Sequence, residues 1–375
     1  DPLWSRGLGD VYKRQEQLGR YMQHIDFPII DPHIHQWDPY NTPHAAALAV
    51  KLLGNRPFLL DKMVRLVKSK DLIDTVGLTT HITQPYLPQN YKDDIGQYQV
   101  EQVVHIEASW ANHKGKGVVG ETEFIESLPF NEDTVHLGGI VATADPCDSN
   151  FKKILKLHQK ASKRLRGIRR MASFHEDKGV HNWTDDPNLY TNKKFLKGFE
   201  HIAQHNLSFD AWVYSTQIPD VIELAKKFPE TSIVLDHFGT PVGLFGKVGQ
   251  NTGLTKTAQE NIFYQWQDYM AELGTLPNVY TKMSGLFMPV LGHQFYKKKQ
   301  LASKQQIIDL VAPLITHALD SFGTYRVMFA SNFPMDRVNA SLVNIIDAFS
   351  DVVMQYDENA LENVFHHNAK QFYRL

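Results

Sequence analysis

Eight short apolar runs, separated for the most part by helix-length amphipathic segments, constrain this chain more than any other feature. They fall at 28–33 (PIIDPH), 103–108 (VVHIEA), 138–144 (GGIVATA), 165–170 (LRGIRR), 207–214 (LSFDAWVY), 232–237 (SIVLDH), 278–284 (NVYTKMS) and 327–332 (VMFASN). Runs this short, apolar on both faces, read as strands covered on both sides. Segments 150–163, 194–206, 217–228 and 305–322 carry apolar residues at three and four spacing, the pattern of a helix with one buried stripe. Strand then helix, repeated around the chain, predicts an α/β fold, the (β/α)8 TIM barrel. A doubly wound sheet is the alternative, but no G-x-G-x-x-G turn follows the first run to cradle a nucleotide.

The chain of 375 residues, 42% hydrophobic and 21% charged, has enough apolar material for one large domain, expected over residues 16–375. Residues 45–100 are too long for a single crossover and predict a helical insertion or lid after the first strand, with 84–88 extended. Residues 1–15, DPLWSRGLGDVYKRQ, lack the apolar stretch of a secretory signal and read as a non-native or disordered leader. A net charge of −2 gives no basic surplus for nucleic acid or an anionic membrane. The longest apolar stretch, 45–53, is broken by Lys51 and is too short to span a bilayer. A single cysteine, Cys147, offers neither an internal disulfide nor a thiolate cluster. The expectation is a cytoplasmic protein whose partner is a small-molecule substrate, with self-association into a homo-oligomer left open.

In such barrels the chemistry sits at the C-terminal ends of the strands. That end carries His33 and His35 on the first strand, Glu107 on the second and Arg169 and Arg170 on the fourth. Tyr214 and Ser215 follow the fifth, His237 the sixth, Ser284 the seventh and Asn332 the eighth. An isolated His-x-His is more often a surface accident than a site, but a polar residue recurring at one end of successive strands is not. Histidine suits proton transfer or metal ligation, and an inward arginine suits a carboxylate or a developing oxyanion. Strand parity points one of Arg169 and Arg170 inward. Parity also turns Asp236 to the face opposite His237, where it would meet a helix or a backbone donor. His105 reads as a core histidine and His366 and His367 as structural, while Asp336 either caps the following helix or reaches back into the site, the cap being the preferred reading. Trp37, Tyr86 and Trp110 lie near the mouth, placed either to stack on a ring or to pack the lid.

From about residue 28 to 375 the chain resembles the amidohydrolase-related barrels that include pyrone-dicarboxylate lactonase and the fucono- and rhamnonolactone lactonases. Carrying the resemblance are IIDPHIHQWDP, HIEASW (105–110), GIR (167–169), the stretch from SFDAWVYSTQ to VLDHFGTPVG (208–243), MFASNFPMDRV (328–338) and NAKQFYRL (368–375). It implies a TIM barrel of the metallo-dependent hydrolase type. It also implies five site groups: His33 and His35, a histidine after the fifth strand, His237, and an aspartate after the eighth. Two of the five depart. Tyr214-Ser215-Thr216-Gln217 stands where the family reads Tyr-His-Pro-Gln, and Ser331-Asn332-Phe333-Pro334 where many relatives have Ser-Asp-Trp-Pro. His33, His35 and His237 still offer three nitrogens, with Glu107 as a carboxylate, so a divalent ion, zinc or manganese, is one option. A metal-independent route is the other. There His33, His35 or His237 would act as base, Arg169 or Arg170 and Asn332 would steady the oxyanion, and Glu107, Tyr214, Ser215 and Trp37 would contact substrate. The implied activity is hydrolysis of a lactone or related cyclic ester. The alternatives are a metal-dependent decarboxylating lyase and a non-catalytic binding barrel. Substrate choice is expected to rest on loops 45–100 and 174–190.

Overall fold

Every one of the eight apolar runs forms a strand, and the strands pair in parallel in chain order. The computed structural model describes residues 25–43, 47–54, 56–108, 110–131 and 133–375. The strands are β1 (Ile29–Ile34), β2 (Val100–Ile106), β3 (His136–Thr143), β4 (Leu165–Arg169), β5 (Ser208–Ala211), β6 (Ile233–Leu235), β7 (Val279–Met283) and β8 (Val327–Phe329). Residues just past β8 bring the sheet back to β1. Asn332 N–H donates to the His33 carbonyl at 2.9 Å and His35 N–H to the Phe333 carbonyl at 2.8 Å. The fold is the TIM barrel expected.

Among the described residues five helices lie between β1 and β2: α1 (Ala47–Leu53), α2 (Pro57–Val67), α3 (Lys70–Val76), α4 (Thr79–Ile82) and α5 (Pro88–Asp94). The extended stretch is shorter than 84–88. Tyr86 pairs with Trp37 through two backbone hydrogen bonds, and Pro88 already opens α5, where its missing N–H costs nothing. The expected leader, 1–15, lies outside the described residues.

The outer helices are α6 (Val119–Ser127), α7 (Phe151–Ala161), α8 (Lys193–Gln204), α9 (Ile218–Lys227), α10 (Lys256–Gly274), α11 (Lys304–Phe322) and α12 (Leu342–Tyr356). Their starts are written in sequence. The Asn192, Thr255, Ser303 and Ser341 side chains each accept from a backbone N–H of the first turn, and Gln306 reciprocates to Ser303 N–H as a capping box. Phe195, Phe199 and Ile202 of α8 are buried against the barrel, each contributing about 1.5–3 kcal/mol. A last helix, α13 (Asn368–Tyr373), inserts Phe372 and Tyr373 among Ile30, Val104, Val141, Val234 and Met328 and so floors the barrel.

Two strand ends depart from regular backbone. His237 (φ 57°) and Phe238 (φ 51°) follow β6, and Asn332 (φ 56°) follows β8. Left-handed backbone at residues other than glycine costs about 1–3 kcal/mol each and recurs where side chains must be aimed. Among the described residues no helix is long and apolar enough to cross a membrane.

Candidate active site

Charge is buried inside this barrel. Asp210 on β5 and Lys282 on β7 interrupt otherwise apolar strands, and the Lys282 ammonium meets three acceptors. They are Asp210 Oδ2 at 2.6 Å, Asp236 Oδ1 at 3.0 Å and His33 Nδ1 at 3.1 Å. Tyr373 of α13 donates its hydroxyl to Asp210 Oδ2 at 2.7 Å, which joins the floor to this network. Burial pushes Asp210 up to about 6 against the pull of Lys282. Burial opposes charge on Asp236 too, but the Lys282 ammonium holds its carboxyl well below the usual range.

The Asp236 placement corrects the parity expectation. Val234 of β6 faces the barrel interior, so Asp236 two residues on faces inward as well. His237 would then point out, but β6 has ended at Leu235 and the left-handed turn swings its ring back over the strand ends. His33, Asp236 and His237 therefore converge, with one donor atom from each lying within 4.8 Å of the others. The His33 and His237 ring centroids are 4.5 Å apart. Ser284 Oγ holds His237 Nδ1 at 2.8 Å, and a Cβ on Gly285 (φ 64°) would come within 2.4 Å of His237 Cγ. Burial lowers His237 to about 3 and His33 well below its ordinary value, where Lys282 adds to the effect. Both rings are neutral at physiological pH.

In kind and spacing this triad could hold a metal ion. It contains Asp236 and lacks the expected His35. Lys282 stands against such a fit, because its ammonium is seated on two of the three donor residues.

His35 is committed elsewhere: Nδ1 lies 2.9 Å from the Ile106 carbonyl and Nε2 3.2 Å from Asn332 Oδ1. Asn332 Nδ2 in turn lies 2.9 Å from Asp336 Oδ1, and Phe287 N–H donates to Asp336 Oδ2. Asp336 thus reaches back into the site through Asn332, which corrects its reading as a helix cap. Burial and Arg169 lower His35 to about 3, so it carries one proton, and the carbonyl claims that proton on Nδ1. Asn332 must then present its amide N–H to Nε2 and its oxygen to Asp336, which becomes the donor. Burial pushes Asp336 up to about 7, so the carboxyl can supply that proton.

Arg169 is the inward arginine. Its Nε lies 2.9 Å from Glu107 Oε1, Nη2 2.9 Å from the Glu107 carbonyl, and Nη1 3.5 Å from Asp236 Oδ2. Arg169 and His237 both pack against Trp212, at 5.5 Å and 6.0 Å from its ring centroid. Burial disfavours the guanidinium charge, but Glu107 and Asp236 more than compensate and raise its pKa.

The other expected contacts lie apart. Arg170 is directed to Asp145 at 3.4 Å and to the Met171 carbonyl. Tyr214 donates its hydroxyl to the His181 carbonyl, and the Ser215 backbone approaches Thr240. Trp37 packs on Tyr86 and donates to the Gln84 carbonyl, and Trp110 stacks on Phe124, so these aromatics pack the surrounding loops. His105 is buried, accepts from Gln36 N–H, and lies 3.7 Å from Glu121. His366 is tied to the Pro28 carbonyl, and His367 lies beside Glu362. Sequence reasoning missed Lys282 and Asp210. The signal was there in each case: a full charge inside an apolar strand.

Comparison with known proteins follows the same line. The family model described as Amidohydrolase matches residues 134–375. A protein of Sinorhizobium fredii, y4mH, is 28% identical over 350 residues, which cover 93% of this chain and 99% of that protein. An L-fucono-1,5-lactonase of Burkholderia ambifaria is 25% identical over 273 residues, 68% of this chain and 81% of that enzyme. Among solved structures, an amidohydrolase of Burkholderia multivorans with bound zinc superposes with a TM-score of 0.65 at 19% identity. It covers 93% of this chain and 100% of that one.

Proposed function

Because this chain belongs to the amidohydrolase family, we propose that it hydrolyses lactones of small sugar acids or related cyclic carboxylic esters. The observation that carries this reading is the burial together of a neutral histidine, His237, and a fixed guanidinium, Arg169, both against Trp212. The likeness to L-fucono-1,5-lactonases supports the substrate class.

Each side chain has a task in that reaction. With Nδ1–H donated to Ser284 Oγ, His237 offers Nε2 as the acceptor for a proton from the attacking water. Asp236, ionised and adjacent in sequence, stabilises the imidazolium that forms. Arg169, oriented by two contacts to Glu107, faces the oxygen on which charge develops and needs no rearrangement to do so. A base held near pKa 3 is weak, so it suits an electrophile already activated as a ring ester and is a poor match for an amide.

A panel of aldonolactones and cyclic carboxylic esters, followed by acid release at neutral pH, tests the proposal. Turnover that is lost in His237→Asn and Arg169→Met supports it. A folded protein that opens no lactone, or that releases carbon dioxide from aromatic acids instead, overturns it.

A further inference from the structure

We infer that Lys282 fixes His33 with its single proton on Nε2, making the ring a hydrogen-bond donor to the bound ligand and closing the triad to a divalent cation. The argument is one of proton accounting. A lysine ammonium has three N–H donors and no acceptor. Here Nζ is hydrogen-bonded to Asp210 Oδ2 at 2.6 Å and to His33 Nδ1 at 3.1 Å, and Asp236 Oδ1 lies beside it as an ion-pair contact at 3.0 Å. The ammonium is ion-paired to Asp210 at 2.6 Å and lies closer to His33 Nδ1, at 3.1 Å, than Asp236 Oδ1 does, at 3.4 Å, so Nδ1 accepts from Lys282. A neutral imidazole that accepts at Nδ1 carries its proton at Nε2.

That Nε2 is fully buried and has no hydrogen-bond partner among the described residues. A buried N–H without an acceptor carries a desolvation penalty that a ligand oxygen would relieve. His33 is in ring contact with both His35 and His237, so the free N–H belongs to the same cluster as the proposed base. We assign it the ester carbonyl oxygen, opposite or beside Arg169, which makes Lys282 a positioning residue acting through His33.

The same accounting bears on metal. A cation bound at His33 Nδ1 must displace Lys282, and one bound at Nε2 must displace the proton. Either way it would share Asp236 with an ammonium already in contact. Lys282 thus supplies the positive charge that a divalent ion supplies in other histidine and carboxylate clusters.

The test is spectroscopic and needs no substrate, so it can fail independently of the lactonase reading. With imidazole-15N histidine in the whole protein at neutral pH, the resonances lost in His33→Gln identify His33. Protonated Nε2 with bare Nδ1 is expected, and the opposite tautomer or an imidazolium overturns the proposal. Metal content gives the second arm. Wild-type protein dialysed against zinc should retain little, whereas Lys282→Met should retain about one equivalent, lost again when His33→Gln is added. A full equivalent bound by wild-type protein through His33, or a folded Lys282→Met that binds none, overturns the exclusion of metal. If Lys282→Met does not fold, the wild-type spectrum decides alone.

Discussion

Gly285 shows how closely single residues are fitted at this site. An alanine there needs left-handed backbone and drives a Cβ into His237, so Gly285→Ala should cost about 1–3 kcal/mol. Turnover should fall by about tenfold or more as the ring is displaced; thermal melting and kcat on one preparation check both. Arg169→Met should lower kcat/KM by about 100- to 1,000-fold, and Arg169→Lys should not restore it, because an ammonium lacks the fork that grips Glu107. Asp336 makes a pH prediction. Its folded pKa, about 7, lies above the unfolded carboxylate value, so its stabilising contribution is complete below about pH 4 and lost as pH rises through 7. Asp336→Asn should therefore gain stability relative to wild type between pH 5 and pH 8. Denaturant titrations at both values measure this, and equal differences would refute it. Legibility in sequence was uneven at this scale. His33, His237, Glu107 and Arg169 stand out because polar residues follow apolar runs. Asp236 is misplaced by parity counted back from His237, because the left-handed turn after β6 swings the His237 ring inward while Asp236 keeps the inward parity of Val234.

Among the elements, strands and helices could be read from periodicity, since each apolar run or stripe has one place to go. The role of α13 could not be read that way. Its Phe372 and Tyr373 look like one more amphipathic face, and only closure of the sheet reveals the space they fill. Phe372→Ala should destabilise the barrel by about 3–5 kcal/mol through the cavity it leaves. Tyr373→Phe, which keeps the volume and loses the hydroxyl bonded to Asp210, should cost only about 0.5–1.5 kcal/mol. Chemical unfolding curves of the two variants would separate floor packing from the Asp210 contact.

Across the whole molecule, the inserted helices are tied to the barrel by polar contacts: Tyr91 of α5 donates to Asp31 of β1 at 2.7 Å, Asp94 pairs with Arg337 at 3.4 Å, and Asp71 of α3 meets His181 Nδ1, in the loop after β4, at 2.6 Å. His181 packs on Trp183, and Trp183 on Trp212, the ring that both Arg169 and His237 contact. Asp71→Ala should raise KM while leaving kcat within about twofold, the pattern of lost ground-state positioning; an unchanged KM would show that the insertion does not shape the site. The sequence could announce an insertion from its length but not where it lands, because that depends on contacts more than a hundred residues apart. Barrel closure is longer still in reach. Asp31 accepts from Ser331 N–H across 300 residues, beside the bonds that join His33 to Asn332. During synthesis, His33, His35 and His237 all leave the ribosome well before the strand that closes the ring around them. A chain interrupted short of β8 carries these histidines without the enclosure that desolvates them, so activity appears only after the eighth strand has emerged and docked.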